Sequence, residues 1–159
     1  MTTKPNRSEL PEAELRSFVN RFDPKEQKVF RAVRAAVRKR FPTVNELAYD
    51  YPNSVVIGYS PTDRGIEAMV AIAARADGVF LYLSHGPQLP DPKKLLQGSG
   101  KQTRFIRVDA AARLGHPEVE ALIAAAVDHA TVPLPPKGKG KLIIQSSASK
   151  RRPRRKSTK

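Results

Sequence analysis

The chain contains no cysteine. That excludes a disulfide scaffold, a thiolate metal site and a cysteine nucleophile. Long apolar runs are missing too. The two longest, Ala68–Ala74 and Ala121–Val127, have seven residues each, against the ~18 needed to span a bilayer. Lys4 and Arg7 lead into no apolar core with a small-residue cleavage site, so no secretory signal is expected. Acid is absent from one region: Lys137–Lys159 holds ten basic residues and no Asp or Glu. The other 136 residues hold 19 basic and 15 acidic ones, so most of the net charge of +14 sits at the C-terminal end. What is present suffices for one domain: 159 residues, 40% of them apolar, on a scale of ~100–200 residues per domain. The expectation is a soluble, cytoplasmic domain with no membrane partner and a basic tail.

Residues 1–8 read as a flexible N-terminus, 9–132 as an α+β domain, and 133–159 as a basic, largely disordered tail. Leu15, Phe18, Val19 and Phe22 form one apolar stripe at helical spacing, with Pro11 suited to a first turn. A second helix has a clearer start, where Asp23 can cap, Pro24 pre-sets the first turn and Glu26 completes a capping box. Its buried stripe is Phe30, Val33, Val37 and Phe41, and Pro42 ends it. The pattern then turns extended. Val55–Tyr59 reads as a strand, and Ile66–Ala74 and Val79–Ser84 flank the hairpin dipeptide Asp77-Gly78. His85–Thr103 is a long connection, with a helical turn expected at Asp91–Leu96, and Arg104–Val108 is another strand. A last helix starts at Pro117, carries Glu118 and Glu120 in its first turn, and ends near His129 before Pro133. The predicted architecture is a single two-layer α+β domain. Its antiparallel sheet has about four to five strands, with N- and C-terminal helices packed on it.

Four groups of residues invite chemistry. Gly98 and Gly100 can turn backbone N–H groups inward, and Lys101 with Arg104 and Arg107 can pair an anion there. A tight turn leading into the next strand accounts for the same residues. Lys28, Arg31, Arg34, Arg38 and Lys39 share one side of the second helix, a face that can track phosphates or simply meet water. His85 ends a strand and Tyr49-Asp50-Tyr51 gathers a carboxylate and two phenols. Neither has a recognisable nucleophile and base beside it, so no catalytic set, metal site or cofactor is assigned. In the tail, Lys150, Arg151, Arg152, Arg154, Arg155 and Lys156 cannot pack a core. A run so basic condenses on polyanions by displacing their counterions. Between it and Lys141, Leu142–Gln145 can add an edge strand.

The run Leu89-Pro90-Asp91-Pro92-Lys93-Lys94-Leu95-Leu96-Gln97-Gly98-Ser99-Gly100-Lys101, leading to Arg104, resembles the signature stretch of the YdhG-like domain family. Glu46, Tyr49 and Pro52 before the sheet and the helix Glu118–Ala130 share the resemblance, which covers roughly Phe22 to Ala130. It implies a compact α+β domain, and one branch of the family is described as a frataxin-like iron chaperone. Ferrous iron prefers carboxylate and imidazole ligands. Here, beyond Glu9, Glu12 and Glu14, the acids stand singly among basic residues, and His85, His116 and His129 are far apart in sequence. The leading expectation is a non-enzymatic binding protein that uses tail and basic helix on a polyanion, nucleic acid above all, without sequence specificity. An iron chaperone and an enzyme on a small ligand stay open as alternatives, as does the oligomeric state.

Overall fold

The computed structural model describes residues 9–146. Two helices come first, α1 (Glu9–Val19) and α2 (Pro24–Arg40). Four strands follow, β1 (Asn45–Tyr51), β2 (Ser54–Ser60), β3 (Val70–Arg75) and β4 (Gly78–Ser84). Then come β5 (Thr103–Arg107), α3 (Pro117–Asp128) and β6 (Leu142–Ser146), with 3-10 turns at Gly65–Glu67, Gly86–Gln88 and Ala111–Gly115. The strands make one sheet in the order β5-β4-β3-β2-β1-β6. All neighbours are antiparallel except β1 and β6, which run parallel. The fold is therefore α+β with a mixed six-stranded sheet, rather than an antiparallel one of four or five strands.

Two strands make the difference. β1 was hidden because two acids, Glu46 and Asp50, point into the protein from it and are each only 4% exposed. β6 lies inside the basic stretch, and its pairing with β1 carries the sheet past residue 132, where composition had ended the domain. Three local expectations also change. Ile66–Ala74 splits into a 3-10 turn and β3. Asp91–Leu96 is a turn, held by the Asp91 carboxylate accepting from the N–H groups of Leu95 and Leu96 at 2.8 Å each. Nor does Asp23 cap α2 with its side chain. Instead its carbonyl accepts from the Gln27 N–H at 2.9 Å.

Alternation along each strand separates two faces. One carries Ala48, Val55, Ile57, Tyr59, Val70, Ile72, Ala74, Val79, Leu81, Leu83 and Ile106, all buried. These form one cluster with Leu15, Phe18 and Val19 of α1, Phe30, Val33 and Val37 of α2, and Val119, Leu122 and Ile123 of α3. All three helices thus lie on this face, and Leu142 and Ile144 of β6 pack against its edge. Each fully buried Val, Leu, Ile or Phe among them contributes roughly 1.5–3 kcal/mol on leaving water. Leu47, Ala73 and Phe80 are buried as well, yet stand outside that cluster. They belong to the opposite face.

Candidate functional site

The basic side of α2 is folded inward at its centre. Arg34 donates two hydrogen bonds to the Glu12 carboxylate at 2.8 Å and two to that of Glu46 at 2.9 Å. Tyr59, fully buried on β2, donates to the same Glu46 at 2.8 Å. Arg38 reaches Glu46 at 3.4 Å, and Arg40 pairs with Glu120. The sequence around α2 shows no balancing acid after Glu26, because the acids arrive from α1, β1 and α3. Burial alone would lower the pKa of Arg34, but the hydrogen bonds and charges of Glu12 and Glu46 outweigh it and raise it. Burial, then the Glu46 charge, pushes the Tyr59 phenol well above its ordinary range. This is a network in which each buried charge has a partner, the condition for placing ions in a core. Arg31 is exposed and donates to Asn20 and Gln27, while Lys28 stays exposed on the solvent side. Of the predicted phosphate track, Lys28, Arg31 and Lys39 face water, whereas Arg34 and Arg38 are engaged within the protein.

The Gly98–Lys101 segment is a turn wrapped on β5. Gln97 pairs with Phe105 as an isolated bridge, and Gly98 takes φ +97° with its α-carbon against the Phe105 ring. Any side chain at Gly98 would be strained and would meet that ring. Arg104 donates through Nε to the Gly100 carbonyl at 2.8 Å, and Arg107 to Asp109 at 3.1 Å. In register, Arg104 lies opposite Leu83 on the helix-bearing face, and Arg107 opposite Phe80 on the other. The two cations expected to share one anion therefore point to opposite sides of the sheet. Lys101 is exposed at the turn.

His85 takes the left-handed conformation, φ 58°, where β4 ends. Its ring stacks on that of His129 at the end of α3, centroids 5.5 Å apart. Sequence reasoning missed this pairing, because the two residues are brought together only when α3 returns across the sheet. His85 lines a cavity of about 350 Å³ with Glu67, Met69, Ser84, Gln102 and Thr131, among others. Asp50, Lys101 and Arg104 do not line it. Asp50 sits near the other end of the sheet, 2.6 Å from Arg21. His85, Asp50 and Lys101 are thus not brought into one pocket. Among the described residues no three His, Cys, Asp or Glu side chains are grouped to hold a metal ion. No described helix is long and apolar enough to cross a membrane.

Lys150, Arg151, Arg152, Arg154, Arg155 and Lys156 lie outside the described residues. The structure does define where the chain leading to them departs. β6 is the outermost strand beside β1, with Ser146 paired to Tyr49 across a register shift. Gly140 donates to the Pro42 carbonyl at 2.9 Å, and Lys141 and Glu46 join through their backbones at 2.8 Å. A side chain at Gly140 would collide with the Val44 carbonyl. Comparison with known proteins gives no match: no family model, no curated protein and no solved structure is similar to this chain.

Proposed function

We propose that the protein is a non-enzymatic binding protein that holds a polyanion, nucleic acid foremost, through its C-terminal cations, electrostatically and without sequence preference. One observation carries the reading: ten basic residues and no acid from Lys137 onward, against near balance in the other 136 residues. The strand β6 supports it by joining that segment to the sheet, so a polyanion captured by the tail is held beside the domain. The Leu89–Lys101 run and its resemblance to YdhG-like domains belong to the same reading, as a likeness of the scaffold.

Each phosphate neutralised on duplex DNA contributes a slope of about −0.9 in log affinity against log salt. Engagement of half of the tail cations gives a slope of about −4 to −5. A salt titration by fluorescence anisotropy on labelled duplexes of two unrelated sequences tests this. Deleting 147–159, which leaves β6 in place, is expected to flatten the slope by several units. Replacing Lys28 and Arg31 changes it less. Equal slopes with and without the tail remove the tail from the mechanism, and absence of binding at about 50 mM salt, where the electrostatic term is strong, ends the proposal.

A further inference from the structure

The groove between α1 and α2 has an apolar floor and an arginine rim. Its volume is about 300 Å³, roughly twice that of the ~150 Å³ protein cavity that takes up benzene. Leu15 and Val19 of α1 and Phe30 of α2 line the floor, and the exposed Ala35 keeps one wall low. Four arginines stand around it, Arg16 from α1 and Arg31, Arg34 and Arg38 from α2, with one carboxylate, Glu12. Glu46 adds a second, buried charge from β1. Both acids are taken up by Arg34, and Arg38 shares them at 3.4 Å from Glu46 and 4.0 Å from Glu12. Four cations therefore meet two carboxylates, and the surplus falls on Arg16 and Arg31. Arg31 donates two hydrogen bonds, both from one terminal nitrogen, to the neutral acceptors Asn20 at 3.3 Å and Gln27 at 2.9 Å. Its Nε and its other terminal nitrogen donate to nothing among the described residues. Arg16 is exposed as well and has no salt bridge among them.

We propose that this groove binds a small aromatic carboxylate, its ring on the floor of Leu15, Val19 and Phe30 and its carboxylate held by Arg16 and Arg31. Small-molecule sites are mostly apolar, with a few polar groups that fix the ligand's orientation. An arginine fork matches the two oxygens of a carboxylate. The groove already contains that pairing, since Arg34 gives Glu12 two hydrogen bonds of 2.8 Å. The remaining two guanidiniums lack such a partner and come from opposite helices, so a carboxylate between them also ties the walls together. Guanidinium planes lie favourably on aromatic faces, which selects a ring over an aliphatic chain for the body. The larger groove between α2 and α3, about 460 Å³, is poorer in charge, because Arg40 at its rim is paired with Glu120 and only Lys39 is left. The site uses no residue of the C-terminal segment and stands independently of the polyanion reading.

The experiment titrates the isotope-labelled full-length protein with hydrocinnamate and follows its amide NMR shifts. Hydrocinnamyl alcohol and acetate, titrated separately, carry the ring and the head group alone. Hydrocinnamate is expected to shift Val19, Phe30, Arg31 and Ala35 and to saturate with a Kd on the order of 1 mM, ordinary for so small a ligand. The alcohol should bind about tenfold more weakly, the worth of one charge-assisted hydrogen bond, and acetate should not saturate. Arg16→Gln and Arg31→Gln are each expected to weaken hydrocinnamate about three- to fivefold, the upper range for an ion pair that touches solvent. Ala35→Phe keeps every charge, changes an exposed helix position and fills the groove, so it should abolish saturation. Shifts that do not saturate overturn the proposal, as do shifts centred on Lys39 and Gly115 at the larger groove. Equal binding of the alcohol or of acetate overturns it too, and so does an Ala35→Phe variant that binds as the wild type does.

Discussion

Helix α2 and the segment after Lys137 are almost equally basic, with seven cations in 17 residues and ten in 23. They do different things. On α2 the central arginine is drawn into the protein by Glu12, 22 residues earlier, and Glu46, 12 residues later, while Arg40 meets Glu120, 80 residues away. Its charge is spent on holding α1, α2 and β1 together. The C-terminal segment carries no acid of its own. A basic run in a sequence thus says little until the acids that fold back on it are counted, and those are rarely its neighbours.

The sharpest way to break the comparison is to remove Arg34. Its side chain is 15% exposed and it bridges two carboxylates, one of them on the buried Glu46. Arg34→Ala leaves Glu46 facing the core without its strongest partner, and breaking such a pair costs about 3–5 kcal/mol. Denaturant melts should show that fall with binding to nucleic acid unchanged under conditions where the protein stays folded. A loss below ~1 kcal/mol, the range of exposed pairs, would make α2 an ordinary solvated face.

A smaller effect separates the two parts of the basic segment. Ending the chain after Pro136 removes β6, with the half-buried Leu142 and Ile144 and the pairing to β1. On the order of 1–3 kcal/mol of stability should go with it. Ending it after Ser146 keeps the strand and should stay within about 0.5 kcal/mol of the full chain, as surface changes do. Composition alone predicts no difference between the two truncations. Equal melting curves would return β6 to the tail.

Where the sequence was readable, local chemistry agreed with the tertiary fold. Phe30, Val33 and Val37 are the buried stripe of α2, and Val119, Leu122, Ile123 and Ala126 that of α3. The Asp77-Gly78 signal marks the β3–β4 hairpin, although the turn falls one residue earlier, with Gly78 at φ +139° pairing with Arg75. Where it was not readable, a long-range partner had inverted the local rule. Glu46 and Asp50 occupy the inward positions of β1, reversing its apolar–polar alternation, because Arg34 and Arg21 come to meet them. Leu142–Gln145 was legible as a segment that can add an edge strand, and β6 is that strand at the sheet edge; its partner β1, and so the parallel pairing, was not.

The smallest expected effect is a test of the same neutralisation by pH. The hydrogen bond from Arg34 holds the Glu12 carboxyl below its ordinary value of 4.5, against the opposing pull of partial burial. A carboxyl whose folded pKa is depressed contributes stability that is complete above the unfolded value. That contribution drains away as pH falls from the ordinary value through the depressed one. Over a third of the Glu12 side chain faces solvent, 36%, which screens the pair, so the contribution is discounted to about 0.5 kcal/mol. Other carboxylates titrate in the same window. The useful quantity is therefore the fall in stability between about pH 6 and pH 3 in the wild type minus that in Glu12→Gln. Glu12→Gln keeps the size of the side chain and loses only the charge. A difference of the stated size and sign places Glu12 in the network as an exposed outer partner, with Glu46 the inner one. A difference of zero would mean that Arg34 is held by Glu46 alone, and that α1 is attached to α2 only through Leu15, Phe18 and Val19.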